Sequence, residues 1–249
     1  MTVEIFNTTH ILTILLMPLL IYLTLSYALT NRSDITKRNV LLLICGFNAA
    51  LYVVYKFAQA NEAVDDFDIF LNLPLHFCNI NLILLPLAIY LKNRNLMAYQ
   101  FYFGTILASL ALVMVYPGFR SRSIFEFTPF VYFYYHSMLA TLPIVLIKLR
   151  LYTPSFKAVW QPVLILVGMT SFMHIINMIL RATNIAAEAN YFFTFGLRGD
   201  FFTELFWRIV PLEFFFLLPS LLLFAPFIIL TTLPFHLSGK KCSDLKNDL

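Results

Sequence analysis

The chain has 249 residues, of which 60% are hydrophobic and only 12% charged, with 27 Phe, 13 Tyr and a formal net charge of +4. A soluble domain carries about 25% Asp, Glu, Lys and Arg, so this composition, with a mean hydropathy of +0.80, leaves too few charges to coat a water-facing surface. The small positive excess calls for no nucleic-acid partner; in such a chain the placement of charge matters more than its sum.

A helix needs about 20 mostly apolar residues to cross the hydrocarbon core. Stretches of that kind fall near residues 10–30, 39–60, 69–91, 97–116, 129–148, 158–181 and 210–233. Ser26-Tyr27-Ala28 is a passable signal-cleavage site, but no Lys or Arg precedes it and the apolar run is long for a signal peptide. It reads as a retained first helix. The connections are short and polar, such as Asn31-Arg32-Ser33-Asp34 and Lys92-Asn93-Arg94-Asn95, apart from a long aromatic-rich one over residues 182–209. The expectation is an all-α, polytopic integral membrane bundle of about seven transmembrane helices. It forms a single domain over residues 1–249, with a polar cytosolic tail from 234 to 249.

Lys and Arg set the orientation. Arg32, Lys37, Arg38, Lys92, Arg94, Lys148, Arg150 and Lys157 lie in the odd-numbered connections, and Lys240, Lys241 and Lys246 in the tail. Most acids lie on the other side, among them Glu62, Asp65, Asp66, Asp68, Glu126, Glu188 and Glu204. This bias places the N-terminus outside or lumenal and the C-terminus in the cytosol.

Polar groups at membrane depth are costly and mark functional candidates. The third stretch reads Asn72-Leu73-Pro74-Leu75-His76-Phe77-Cys78-Asn79-Ile80-Asn81 and then turns apolar. Pro74 and Pro86 loosen such a helix. With continuous helices, Cys78 lies about 13 Å from the outer end of its span, and His136 and His174 about 10 Å from theirs. Asn177 shares a face with His174, Asn48 is near mid-span, and Glu213 opens the last stretch near the outer interface. Single intramembrane Asn residues such as Asn48 and Asn81 also serve simply to bond one helix to another.

A thiol beside an imidazole attacks esters and thioesters, because the base accepts its proton and an acyl-cysteine forms. Cys78 and His136, on different helices at matched depth, make such a pair. His76, two residues from Cys78, points elsewhere on a helix, while Asn79 and Asn81 are suited to orienting the imidazole or donating to an oxyanion. His174, Asn177, Asn48 and Glu213 complete a polar shell. Cys45, in an apolar run, reads as an inert small hydrophobe, and Cys242 lies in the tail. Two other readings stand beside this one. A transporter or permease would line a polar path with the same groups. A lipid hydrolase or metal-dependent enzyme would use His76, Cys78, His136 and His174, although no His-x-x-x-His pair is present. No cofactor or bound metal is called for.

Leu73-Pro74-Leu75-His76-Phe77-Cys78-Asn79-Ile80 resembles the Leu-Pro-Leu-His-x-Cys motif of the YwaF family of bacterial membrane proteins, which also includes the eukaryotic transmembrane protein 164. The resemblance extends through Tyr102-Phe103-Gly104, Phe133-Tyr134-Tyr135-His136 and Asn190-Tyr191. It implies a membrane-embedded lipid acyltransferase with membrane lipids as substrates, in which Cys78 is the nucleophile and His136 the base. The chain departs from the family pattern at Phe192-Phe193-Thr194-Phe195 and at Phe206-Trp207-Arg208.

Overall fold

A computed structural model describes residues 2–62, 68–114, 119–196 and 201–237. Asp65, Asp66, Lys240, Lys241, Cys242 and Lys246 lie outside the described residues. Nearly everything described is helix, and the one β-bridge joins Thr2 and Ser123. The chain divides into two compact units, Met1–Tyr152 and Thr153–Leu249.

The first unit contains α1 (Thr8–Leu29), α2 (Asp34–Glu62), α3 (Phe77–Tyr90), α4 (Arg94–Tyr99), α5 (Thr105–Val113) and α6 (Phe127–Lys148), with a π-helical turn, Gln100–Gly104, fusing α4 to α5. α6 is apolar all round and buried along nearly its whole length, as a central helix must be. It packs against α1, α2, α3, α5 and the π turn. α1 shows the opposite face of the same chemistry: Leu12, Leu15, Leu16, Leu19, Leu20 and Leu23 all point outward. An apolar stripe of that size has lipid as its solvent.

Basic residues on α2 close helix ends. Lys37 donates to the carbonyl of Leu149, just past α6, and Arg38 to that of Ile89 in the last turn of α3, where cations also complement the helix dipole. At α1 the Asn7 side chain caps the helix by accepting from the His10 amide. His10 Nδ1 accepts from the Phe6 amide, so its Nε2–H donates to the Leu112 carbonyl at 2.8 Å and ties α1 to the end of α5.

Among the described residues six segments are long and apolar enough to span a bilayer, and α3 is a shorter seventh. Here the structure corrects the sequence reading. The helix expected over 69–91 begins only at Phe77 and runs 14 residues, roughly 21 Å against a hydrocarbon core of about 30 Å. Two causes act upstream. Pro74 disfavours helix at the residue before it, and Asp68 accepts from the amides of Phe70 and Leu71, locally competing with a helix. The Asn72 side chain in turn donates to the Asp68 carbonyl.

The second unit contains α7 (Trp160–Ala182), α8 (Phe201–Ile209) and α9 (Leu218–Leu237), with single 3-10 turns at Phe156–Ala158, Tyr191–Phe193 and Phe215–Leu217. The last span therefore starts later than the expected residue 210, and its helix continues to Leu237, beyond the expected start of the tail.

Candidate functional site

The shortened α3 changes the setting of Cys78. His76 is not on a helix face but at the N-cap, and Cys78 is the second residue of the helix rather than one buried in its middle. The first ladder bond runs from the Ile80 amide to the His76 carbonyl at 3.0 Å. The amides of Cys78 and Asn79 precede it and stay outside the ladder, as first-turn amides do. Both cysteines among the described residues are free thiols, with Cys45 buried on α2 and Cys78 partly so.

His136 is set by its own helix. Its Nδ1 donates to the Tyr132 carbonyl at 2.9 Å, because a carbonyl can only accept. The proton is thereby placed on Nδ1 and a lone pair left on Nε2. The imidazole is held between tyrosines, with ring centroids 4.3 Å from Tyr132 and 3.9 Å from Tyr135. Tyr132 is pinned by donating to the Ala111 carbonyl, and Tyr135 stands edge-on to Tyr52 of α2 at 5.4 Å. Cys78 and His136 share no direct hydrogen bond among the described residues. Tyr135 touches the imidazole and lies within electrostatic range of the thiol.

One turn beyond Cys78, Asn81 accepts at Oδ1 from Gln100 Nε2 at 3.0 Å. Gln100 opens the π turn, an insertion that widens a helix and recurs at functional sites. Gly104 closes it for a steric reason: a Cβ there would lie 2.7 Å from Gln100 Oε1. In this pair and its neighbour three buried polar atoms form no hydrogen bond of ordinary length, namely Asn81 Nδ2, Gln100 Oε1 and Tyr99 Oη; elsewhere in the unit the same holds for Asn48 Oδ1 on α2 and Ser137 Oγ on α6. Each such atom costs about 1–3 kcal/mol if it remains unpaired. Each buried polar atom of this kind calls for a physical explanation. Asn79 is also buried.

His174, Asn177 and Glu213 belong to the second unit. Asn177 Nδ2 donates to the Tyr191 carbonyl at 2.7 Å and to Thr194 Oγ1 at 2.9 Å, while its Oδ1 accepts from the Tyr191 amide at 2.8 Å. His174 Nδ1 pairs with Thr194 Oγ1 at 3.0 Å, between the rings of Phe195 and Phe214. Glu213 is exposed and within electrostatic range of that imidazole. Arg181 adds a bond to the Ala189 carbonyl and lies over the Phe195 ring at 4.0 Å. This group fastens the loop over 189–196, where Phe192 and Phe193 hold positive φ.

Sequence reasoning passed over Tyr99, Gln100 and Tyr135 as site residues. Gln100 carried a usable signal, an amide inside an apolar span four residues before a glycine. The tyrosines carried none, since aromatic residues are abundant throughout the chain. Among the described residues no three His, Cys, Asp or Glu are grouped as a metal site.

A helical chain with six bilayer-length apolar segments and a polar cluster buried among its helices is a multi-pass integral membrane protein. The TMEM164 family model matches residues 5–231, nearly the whole chain, and the protein belongs to that family. No curated protein and no solved structure matches it.

Proposed function

We propose that the protein is a membrane-embedded acyltransferase that moves fatty acyl chains between lipids through an acyl-cysteine at Cys78, with His136 as the base. The observation that carries this reading is the position of Cys78 in the first turn of α3, inside the unit where His136 is buried with its Nδ1–H committed to the Tyr132 carbonyl. A helix N-terminus stabilises a thiolate, and an imidazole protonated at Nδ1 has the lone pair to accept the thiol proton. His136 Nε2 would take the proton from Sγ as sulfur bonds to the ester carbonyl carbon. The carbon–oxygen bond then breaks and the leaving alkoxide takes that proton back. An acceptor hydroxyl, deprotonated by the same imidazole, attacks the thioester and releases Cys78 as the thiol. His76 and Asn79 flank the sulfur along the chain, and Asn48 lines the polar interior. The distribution of Lys and Arg supports an N-terminus outside or lumenal and a cytosolic C-terminus.

The test is a lipid-like activated ester carrying a reporter, applied to membranes containing the wild type, Cys45→Ala, Cys78→Ala or His136→Ala. Labelling should survive Cys45→Ala, vanish in Cys78→Ala and fall about 100-fold in His136→Ala. Cys78 labelling no faster than Cys45 would end the acyl-enzyme reading and leave a transport path as the use of the polar interior.

A further inference from the structure

The acyl-transfer reading supplies a nucleophile and a base but leaves open what receives the negative charge on the carbonyl oxygen as the thiolate adds. That oxygen needs donors already in place, buried and not occupied by other partners. We propose that the Tyr99 hydroxyl and the Asn81 side-chain amide form this oxyanion site, with Gln100 as its positioning residue; the assignment rests on the acyl-transfer reading above.

Four observations converge on these groups. Asn81 lies three residues after Cys78 on α3, so the two side chains share a helix face. Its amide is oriented by Gln100: with Oδ1 occupied, Nδ2 faces the interior, where its nearest polar neighbour is the Tyr99 hydroxyl and its second N–H is left over. Tyr99, which immediately precedes Gln100, is fully buried, and its hydroxyl forms no hydrogen bond of ordinary length among the described residues. Finally, Tyr99 lies within electrostatic range of Cys78, and its hydroxyl is within side-chain hydrogen-bonding reach of the Asn81 amide, so the two donors stand together. Two neutral donors, one on α3 and one at the end of α4, thus lie in the neighbourhood of Cys78.

The geometry also explains the π turn. Tyr99 is the last residue of α4 and Gln100 the first of the turn, so the extra residue there sets where both side chains enter the interior. Gly104 then leaves room for the Gln100 amide, which a methyl group would displace. The first-turn amides of Cys78 and Asn79 stabilise the sulfur, while the phenol and Asn81 receive the oxygen. When Sγ bonds to the carbonyl carbon, the carbonyl π pair moves to oxygen and is held by the Tyr99 O–H and Asn81 N–H. When the pair returns, the carbon–oxygen bond to the leaving group breaks.

The experiment compares two reagents on the purified full chain in detergent: a neutral chromogenic ester, whose attack creates an oxyanion, and iodoacetamide, whose alkylation of Cys78 does not. Tyr99→Phe deletes one hydroxyl and keeps the ring against Phe103. It should slow acylation about 100-fold and leave the alkylation rate unchanged. Asn81→Ala tests the second donor by the same pair of rates, so the proposal does not hang on one variant folding. An unchanged acylation rate in both variants would overturn the oxyanion site while the acyl-enzyme stands. An equal fall in both rates would also overturn it, since the residues would then act on the thiol. If wild-type Cys78 alkylates but never acylates, the acyl-transfer reading itself fails and takes this site with it.

Discussion

The two units treat intramembrane amides in opposite ways. In the second, Asn177 spends both ends of its side chain on the Tyr191 backbone and Thr194, and His174 completes the group. In the first, Asn81 and Gln100 bond to each other at one end, while Gln100 Oε1 has no partner among the described residues and Asn81 Nδ2 reaches only towards the Tyr99 hydroxyl. The residue types are nearly the same. A closed set of hydrogen bonds holds a loop in place, whereas an open set reserves capacity for something that arrives later. Burial and polarity alone would have ranked the two groups equally.

If this contrast is sound, breaking the closed set should cost stability and spare the chemistry. Asn177→Ala removes the three hydrogen bonds that its buried side chain makes to the Tyr191 backbone and Thr194, at a cost of about 3 kcal/mol. That corresponds to a melting temperature lower by about 10 °C in detergent. The rate at which the remaining folded protein alkylates at Cys78 should not change. A stable Asn177→Ala protein with an altered thiol would show that the closed set also serves the site.

The open set should respond the other way. In Gly104→Ala the new methyl group displaces the end of the Gln100 side chain, which is flexible and moves at low cost. Alanine also favours helix over glycine by about 1 kcal/mol. Melting should therefore shift by only a few degrees, in either direction, while acylation of Cys78 falls about tenfold as Asn81 loses its support. A large loss of stability with normal acylation would make the Asn81–Gln100 pair a packing device and erase the difference between the units.

Much of this was legible in the residues, for reasons that can be named. Long apolar runs between short charged connections reveal spans because lipid requires them, and α1, α2, α6 and α7 lie close to where the runs placed them. The motif around Cys78 drew attention through its polarity at depth. What could not be read was the late start of α3: Asn72 looks like a polar span residue, and Asp68 like a connection residue, until their side chains are seen to bond the local backbone. Nor could sequence separate Asn177 from Asn81, since the difference lies in which partners the rest of the chain brings to each. The π turn left only a faint trace, Gln100 and Gly104 four residues apart.

A third polar group tests whether closure or depth decides the cost. Outside the spans, Arg122 bonds Glu126 at 2.7 Å and also Glu62 at 2.7 Å, at the end of α2, while Thr128 donates to Glu62. This set is closed like that of Asn177, yet it is exposed to solvent. The Ser123 amide and then Arg122 hold the Glu126 carboxyl below its usual range, and the two carboxylates, Glu62 first, push the Arg122 guanidinium up. A depressed carboxyl stabilises the fold above its unfolded value, about 4.3 for Glu, and that contribution disappears as pH falls through the folded value. Wild-type melting temperature should therefore decline on acidification below about pH 4. Arg122→Ala should melt only about 2 °C lower at neutral pH, because water screens exposed pairs, and its acid decline should be shallower. A drop as large as that of Asn177→Ala would mean that closure sets the cost wherever the group sits; the small effect expected here would leave burial as the factor that makes an intramembrane amide expensive to release.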